Sequence, residues 1–321
     1  MRQAKLLIAF LAGWLFSFGQ QMPYFTQFRA SGIFFNPALT GTKRFVDLRL
    51  TTRSQWVGFD GQPKTQGFNL NSRLYKGKLG LGMMYFKDVT GPTQRNLFNM
   101  SYAFHIKYPD IELSFGFSTN FYRYFINGSL ITLRMSQDKA IDKSLLAMDK
   151  FFDMSAGAYL YNDRFHIGLC ALNLIQQSAE FYENVPDSVK KANLKMVPHP
   201  FFTFGYNWSE DPDFVWENSL MGGYVSGATL TLDYSLRIIL KNKVFVGASF
   251  RLKDAIGLQA GFILFDQLQV AYSYDIGINQ LRKAHNNTHE VTIIYSSDLE
   301  KLLGRKNSNS QFKREKFQYM F

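Results

Sequence analysis

The chain has 321 residues and a net charge of +11 at pH 7, and 17% of its residues are aromatic, with 32 Phe and 17 Tyr. Its single cysteine, Cys170, excludes an intrachain disulfide, and no segment after residue 20 approaches the about 18 apolar residues of a helical membrane span. A basic balance can indicate nucleic-acid binding, but here the charge is dispersed over predicted turns and the C-terminal tail, so we expect anionic lipid headgroups or acidic partners and no nucleic acid.

Residues 1–19 are predicted to be a secretory signal. Arg2 and Lys5 supply the positive start, residues 6–18 form an apolar run, and small residues at the end of that run favour cleavage before Gln20. An uncleaved N-terminal anchor is the alternative. Either interpretation sends the rest of the chain out of the cytoplasm.

The rest of the chain shows a two-residue period in hydrophobicity. In residues 111–118 and 229–240, apolar side chains alternate with polar or small ones. Successive side chains on a strand point to opposite faces, so each segment has one apolar and one polar face. Strands of this length, with moderate mean hydropathy and abundant aromatics, predict a transmembrane antiparallel up-and-down β-barrel of the all-β class.

Fourteen strands are expected, with twelve or sixteen as alternatives. The long connections all fall at one end of this barrel, and the other end has only short turns, as outer-membrane barrels require. Two long connections, 134–150 and 176–199, carry amphipathic stretches that suggest helical turns, for example at 139–148. The predicted strands are 45–54, 65–74, 78–87, 95–106, 110–124, 151–161, 163–173, 200–208, 214–225, 228–240, 243–251, 255–265, 267–276 and 288–296.

Four regions follow from this assignment. The signal (1–19) precedes a periplasmic N-terminal lead-in (20–44) that is expected to lie outside the barrel. The outer-membrane barrel covers 45–296, and a basic tail (297–321) is expected in the periplasm. The long loops are expected at the cell surface.

Several sequence blocks resemble the PorP/SprF family of Bacteroidetes outer-membrane proteins, which is linked to type IX secretion and gliding motility. The most specific block, at residues 53–66, reads Arg-Ser-Gln-Trp-Val-Gly-Phe-Asp-Gly-Gln-Pro-Lys-Thr-Gln. The others are Asn-Pro-Ala-Leu-Thr-Gly at 36–41, Leu-Gly-Leu-Gly at 79–82, Asp-Val-Thr-Gly-Pro-Thr at 88–93, Gly-Ala-Tyr-Leu-Tyr at 157–161, Phe-His-Ile-Gly-Leu at 165–169, Tyr-Ser-Tyr-Asp at 272–275 and His-Glu at 289–290. The resemblance spans roughly residues 22–296.

This resemblance implies a non-enzymatic barrel that helps to export or anchor surface proteins such as adhesins. It implies partners among outer-membrane lipids, secreted or surface-anchored cargo, and periplasmic or lipoprotein components of a secretion or motility machine. It implies no cofactor. Cys170 and the basic tail depart from the family pattern.

The motif residues allow a structural and a functional interpretation. They either close and brace the barrel mouth or form a rim that docks a partner, since loops on a rigid scaffold often carry function. These residues are Asn36, Pro37, Gln55, Trp56, Gly58, Phe59, Gly61, Pro63, Lys64, Gly91 and Pro92.

Charged residues are also expected inside the barrel, where buried charges must pair or be hydrated. A lumenal charge network is one interpretation and selectivity for a solute is the other. Gly80 and Gly82 are expected to relieve crowding on the lumenal face. The predicted lumenal charges are Asp47, Arg49, Arg53, Glu112, Asp233, Arg237 and Glu290.

Two rival functions differ in class from a secretion barrel. A porin or small-solute channel fits the same fold. A lipid-modifying enzyme would need a nucleophile and a base near the bilayer rim, and the sequence offers no convincing Ser/His set. The five histidines show no tight metal spacing, so no metal site is expected.

Overall fold

A computed structural model shows a closed barrel of fourteen antiparallel strands. The structure describes residues 22–29, 32–43, 45–74, 77–131, 146–181, 192–211, 213–226, 230–264 and 267–297. The predicted signal and the tail beyond Ser297 lie outside these residues. In the described part, no helix is long and apolar enough to cross a membrane.

The strands follow one another around the barrel, and β1 pairs with β16 to close it. A separate two-stranded hairpin, β8–β9, is inserted between β7 and β10, which are neighbours in the barrel. The strands are β1 (Val46–Ser54), β2 (Lys64–Leu74), β3 (Leu79–Thr90), β4 (Thr93–Lys107), β5 (Glu112–Asn127), β6 (Leu146–Tyr161), β7 (Phe165–Leu172), β8 (Ser178–Phe181), β9 (Ala192–Lys195), β10 (His199–Asp211), β11 (Phe214–Gly223), β12 (Thr231–Leu240), β13 (Val244–Arg251), β14 (Ala255–Leu264), β15 (Leu268–Gly277) and β16 (Thr288–Ser297).

All fourteen predicted barrel strands are confirmed, because the two-residue alternation matches the two faces of the wall. On β5, Ser114 and Ser118 are buried inside while Phe115 and Phe117 are 50% and 40% exposed outside. An exposed apolar and aromatic outer face is what a lipid environment stabilises.

The structure corrects the prediction of helical turns in the two long connections. Residues 146–148, expected to be helical, belong to β6, and the rest of that expected helical stretch lies outside the described residues. The other long connection forms the β8–β9 hairpin, which packs against β6. Short amphipathic stretches did not distinguish a helical turn from a short strand, because a few residues carry little periodicity.

Candidate functional site

The interior of the barrel holds a segment that precedes β1. This lumenal segment (residues 22–43) contains one helical turn, Gly32–Phe35, and a 3-10 turn, Pro37–Leu39. Most of its described residues are buried. The prediction that residues 20–44 lie outside the barrel is therefore wrong for this segment, since its apolar side chains find partners on the lumenal wall.

Aromatic side chains fill the interior on the long-loop side. Phe34 lies 5.0 Å from Phe86 of β3 and 5.2 Å from Phe25, between ring centroids. Towards the same end, the ring of Phe151 stacks on Tyr122 and Tyr124 at 5.0 and 5.6 Å. These rings belong to one core cluster that also contains Ala179 and Phe181 of β8 and Met196. The described residues thus fill this half of the lumen with packed side chains.

The Asn-Pro-Ala-Leu-Thr-Gly block sits on glycines of the wall. Asn36 caps the 3-10 turn by accepting a hydrogen bond from the Ala38 N–H at 2.9 Å. Its side-chain amide donates to the carbonyl oxygens of Ala158 and Leu169, at 3.2 and 3.3 Å, and so joins β6 to β7. A methyl group on Gly116 would lie within 3.0 Å of the Ala38 backbone.

The other lumenal glycines act in the same way. A Cβ on Gly80 would collide with the Thr40 carbonyl, and one on Gly82 would crowd Ile33 and Thr40. The expectation that these two glycines relieve crowding agrees with this geometry, and the crowding element is the lumenal segment.

All seven predicted lumenal charges are buried and point inward. Arg53 binds two carboxylates, Asp275 at 2.8 Å and Glu290 at 2.9 Å. The lumenal segment completes this cluster, because the Thr26 hydroxyl donates to Asp275 at 2.7 Å and the Thr26 N–H donates to Glu290 at 2.9 Å. The segment is therefore tied to the wall by charge as well as by packing.

A second cluster lies nearer the short turns. Arg29 of the lumenal segment binds Glu217 at 2.7 Å, and Arg237 binds the other oxygen of the same carboxylate. Arg49 binds Asp47 through two nitrogens. The Lys43 ammonium lies 3.8 Å from Asp47.

A third cluster holds the end of the Asn-Pro block. Arg73 binds Glu112 at 2.7 Å and donates to the Gly41 carbonyl oxygen at 2.5 Å. His105 contacts the Thr40 carbonyl oxygen at 2.9 Å, and the Tyr161 hydroxyl donates to Glu112 at 2.7 Å. Asp233, the remaining predicted charge, accepts a hydrogen bond from Arg251 at 2.9 Å.

Sequence reasoning missed six of the thirteen charged residues in these ion pairs. Arg73 is in phase with the inward Asn69 and Asn71 of β2, so alternation would have found it. Glu217 lies on the strand with the least regular alternation, and its pairing with Arg237 follows only from the register of β11 and β12. The missed partners are Arg29, Lys43, Arg73, Glu217, Arg251 and Asp275.

The motif at 55–64 forms the rim on the long-loop side. Trp56 has a positive φ of 55° and stacks on His285 with a centroid distance of 6.1 Å. The Gln55 N–H donates to the Pro63 carbonyl oxygen at 2.9 Å, which closes the loop at its base. Gly58 and Gly61 also take positive φ values, which glycine adopts without strain.

Backbone hydrogen bonds then join this loop to its neighbours. The Gly91 N–H donates to the Gly61 carbonyl oxygen at 2.9 Å, and the Val57 N–H donates to Asn287 at 2.9 Å. Pro92 accepts from the Asn127 N–H at 2.8 Å. The contacts brace the rim, while Phe59 stays 41% exposed and Lys64 is exposed.

A cavity opens beside the lumenal segment on the side of the short turns. The space in it that water could occupy is about 110 Å³. Apolar side chains such as Phe28, Phe35 and Met221 line one part of it, and Lys43 and Arg49 line another. Cys170 is buried in the aromatic core cluster, and such an apolar surrounding disfavours the thiolate that a reactive cysteine needs.

The described residues contain no group of three His, Cys, Asp or Glu side chains placed to hold a metal ion.

A match to a family model decides the classification of this chain. The model of the type IX secretion system membrane protein PorP/SprF matches residues 17–295. The chain belongs to the PorP/SprF family. No curated protein matches it.

Solved structures share the barrel fold of this PorP/SprF protein. The toluene transporter TbuX of Ralstonia pickettii aligns with a TM-score of 0.51 and 8% identity over 84% of this chain and 93% of the transporter chain. The toluene transporter TodX of Pseudomonas putida aligns with a TM-score of 0.49 and 8% identity over 86% of this chain and 98% of the TodX chain. The outer membrane protein Omp33 of Acinetobacter baumannii aligns with a TM-score of 0.47 and 10% identity over 80% of this chain and 100% of the Omp33 chain. At these identities the likeness concerns the fold alone.

The fold and the family together place this PorP/SprF protein in the outer membrane. They also associate it with membrane-bound secretion machinery. The motif blocks divide between two structural tasks, seating the lumenal segment (36–41) and bracing the rim (55–64).

Proposed function

We propose that this barrel is a non-enzymatic scaffold that supports type IX secretion or the surface anchoring of secreted adhesins or other cargo. The observation that carries the proposal is the filled interior on the long-loop side, where the lumenal segment, the aromatic cluster and the β8–β9 hairpin pack together. A filled interior suits a barrel that presents loops to a protein partner. Its rigid wall positions those loops at modest entropic cost.

Deletion of the gene tests this proposal. We expect the deletion strain to release a particular adhesin or cargo into the medium, or to trap it in the periplasm, with general porin permeability unchanged. The surface proteome and the culture medium, compared by mass spectrometry, measure the effect. A deletion strain with a normal surface proteome would contradict the proposal.

The basic tail is proposed to meet an acidic periplasmic partner. Residues 298–321 carry six basic side chains against three acidic ones, and such an excess attracts acidic surfaces. Removal of residues 299–321 should weaken co-purification of periplasmic components and leave the barrel inserted.

We further propose that the long loops face the cell surface and that the signal is cleaved. In a Cys170→Ser background, a cysteine at Leu130, which is 62% exposed, should react with an impermeant maleimide on intact cells. A cysteine at Asn242, in a short turn at the other end, should react only after the outer membrane is permeabilised. The opposite labelling pattern would invert the orientation.

A small-solute channel is the second candidate, and the cavity on the short-turn side favours it. A channel must conduct through the filled half of the lumen, so planar-bilayer recordings separate the two candidates. Steady conductance of the wild-type barrel, with loss of nutrient uptake in the deletion strain, would support the channel.

A further inference from the structure

The cavity beside the lumenal segment combines apolar walls with an under-compensated cation. Lys43 is its clearest feature, because the side chain is 13% exposed and its ammonium has one carboxylate neighbour in the described structure, Asp47 at 3.8 Å. That carboxylate already binds the Arg49 guanidinium through two nitrogens and the Ser296 hydroxyl at 3.1 Å. A buried ammonium with three donors is stabilised by a close anion, and here the nearest anion is already engaged.

The cavity lies within a network of interacting buried charges. Four cations and two carboxylates interact electrostatically within this cluster. These residues are Arg29, Lys43, Arg49, Arg237, Asp47 and Glu217.

Polar and apolar residues both line this cavity. The Thr203 hydroxyl and the Asn207 side-chain oxygen belong to residues that line the cavity, and both atoms are buried without a hydrogen-bond partner in the described structure. Phe28, Phe35 and Met221 supply an apolar surface close by. The site thus offers positive charge and an apolar wall within one cavity.

We propose that this cavity binds a small amphipathic anion, a carboxylate or phosphate monoester with an apolar tail. The anionic head lies at Lys43 and the tail lies along Phe28, Phe35 and Met221. The ligand enters from the short-turn side, because the packed aromatic cluster closes the other half of the lumen. The site goes beyond the proposed secretion role, and loss of ligand binding would leave the secretion test above unaffected.

The titration of Lys43 gives this site a pH signature. Burial lowers the pKa of the Lys43 ammonium, which precedes β1, to about 7, with Arg49 and Arg29 also lowering it and Asp47 and Glu217 opposing them. A bound anion raises that pKa again, so binding near neutral pH takes up a proton. Affinity for a carboxylate such as octanoate, whose own charge is constant above about pH 6, should therefore fall as the pH rises from about 6 to about 9. Calorimetry in two buffers with different ionisation enthalpies measures the proton uptake.

The direct test uses the full barrel in phosphatidylcholine nanodiscs, titrated with octanoate and with octyl phosphate against empty discs. We expect both anions to bind, and Lys43→Met to weaken binding at least tenfold. Lys107→Met is the matched control, since it removes an exposed lysine at the same end of the barrel and should change affinity less than twofold. Lys43→Arg should retain most of the binding.

Neutral and short probes separate the two halves of the proposal. Octanol should bind weakly and respond little to Lys43→Met, and acetate should bind weakly because it lacks the tail. Equal binding of octanol and octanoate, or equal affinities of the wild type and Lys43→Met, would overturn the proposal. Preference for octanoate or for octyl phosphate would identify the head group. If Lys43→Met does not fold, as judged by migration on gels before and after boiling, the probe comparison on the wild type decides.

Discussion

Replacing Arg53 with methionine should destabilise the barrel by about 3–5 kcal/mol, because the change leaves two buried carboxylates without their shared cation. Asp275 and Glu290 are 3% and 1% exposed. The remaining donors are weaker, since Thr26 supplies a hydroxyl and an N–H, Gln27 supplies an N–H, and the Arg251 guanidinium is 3.8 Å from Asp275. Urea unfolding of the barrel reconstituted in lipid vesicles measures the loss.

Arg123→Met is the matched control for this prediction. Arg123 is exposed on the outside of β5, so its removal should change the free energy of unfolding by less than about 0.5 kcal/mol. Combining Arg53→Met with Asp275→Asn and Glu290→Gln should recover part of the loss, since neutral amides leave no uncompensated charge. Equal stability of the two methionine variants would show that the lumenal cluster is hydrated and contributes little.

The strands could be predicted from the sequence because their signal is local. Alternation places neighbouring side chains on opposite faces, so the inward direction of Glu112 or Asp233 follows from a few residues on either side. The count of fourteen gained support from the separate sorting of long and short connections. Strand direction and strand number are properties of the barrel wall, in which all fourteen strands follow the same alternation.

The contents of the lumen could not be predicted in the same way. Arg53 and Glu290 are 237 positions apart in the chain and meet only because β1 closes on β16. Register of this kind depends on closure of the whole sheet and leaves no mark in a short window. The lumenal segment has no strand or helix long enough to show a period, and its sole hint was the density of Phe between residues 25 and 35.

The motif residues illustrate the same division. The glycines and prolines of the 55–64 block indicated a tight loop, and the structure has one. What the loop contacts was not predictable, because Trp56 stacks on His285 from a connection more than two hundred residues later. The pairing of Asn36 with two carbonyl oxygens of β6 and β7 is equally non-local.

Gly116→Ala should loosen the lumenal segment, because the new methyl group would meet the backbone of Pro37 and Ala38 rather than a flexible side chain. Overpacking of this kind costs about 1–3 kcal/mol. Here it can be relieved if residues 36–41 move away from the lumenal wall. We expect a rise in planar-bilayer conductance over the wild type. Deletion of residues 22–41 should raise it much further, since the lumen then loses the segment that packs its centre.

Gly67→Ala provides the matched control. Gly67 is in phase with the inward Thr65 and Asn69 of β2, yet a Cβ added there would have nothing within 4 Å. It should therefore leave conductance unchanged and leave stability unchanged or slightly higher, because alanine has less backbone entropy to lose on folding. Conductance that rises equally in both variants would assign the effect to the wall. Unchanged conductance on deletion of residues 22–41 would show that the β8–β9 hairpin and the rim close the barrel without the segment.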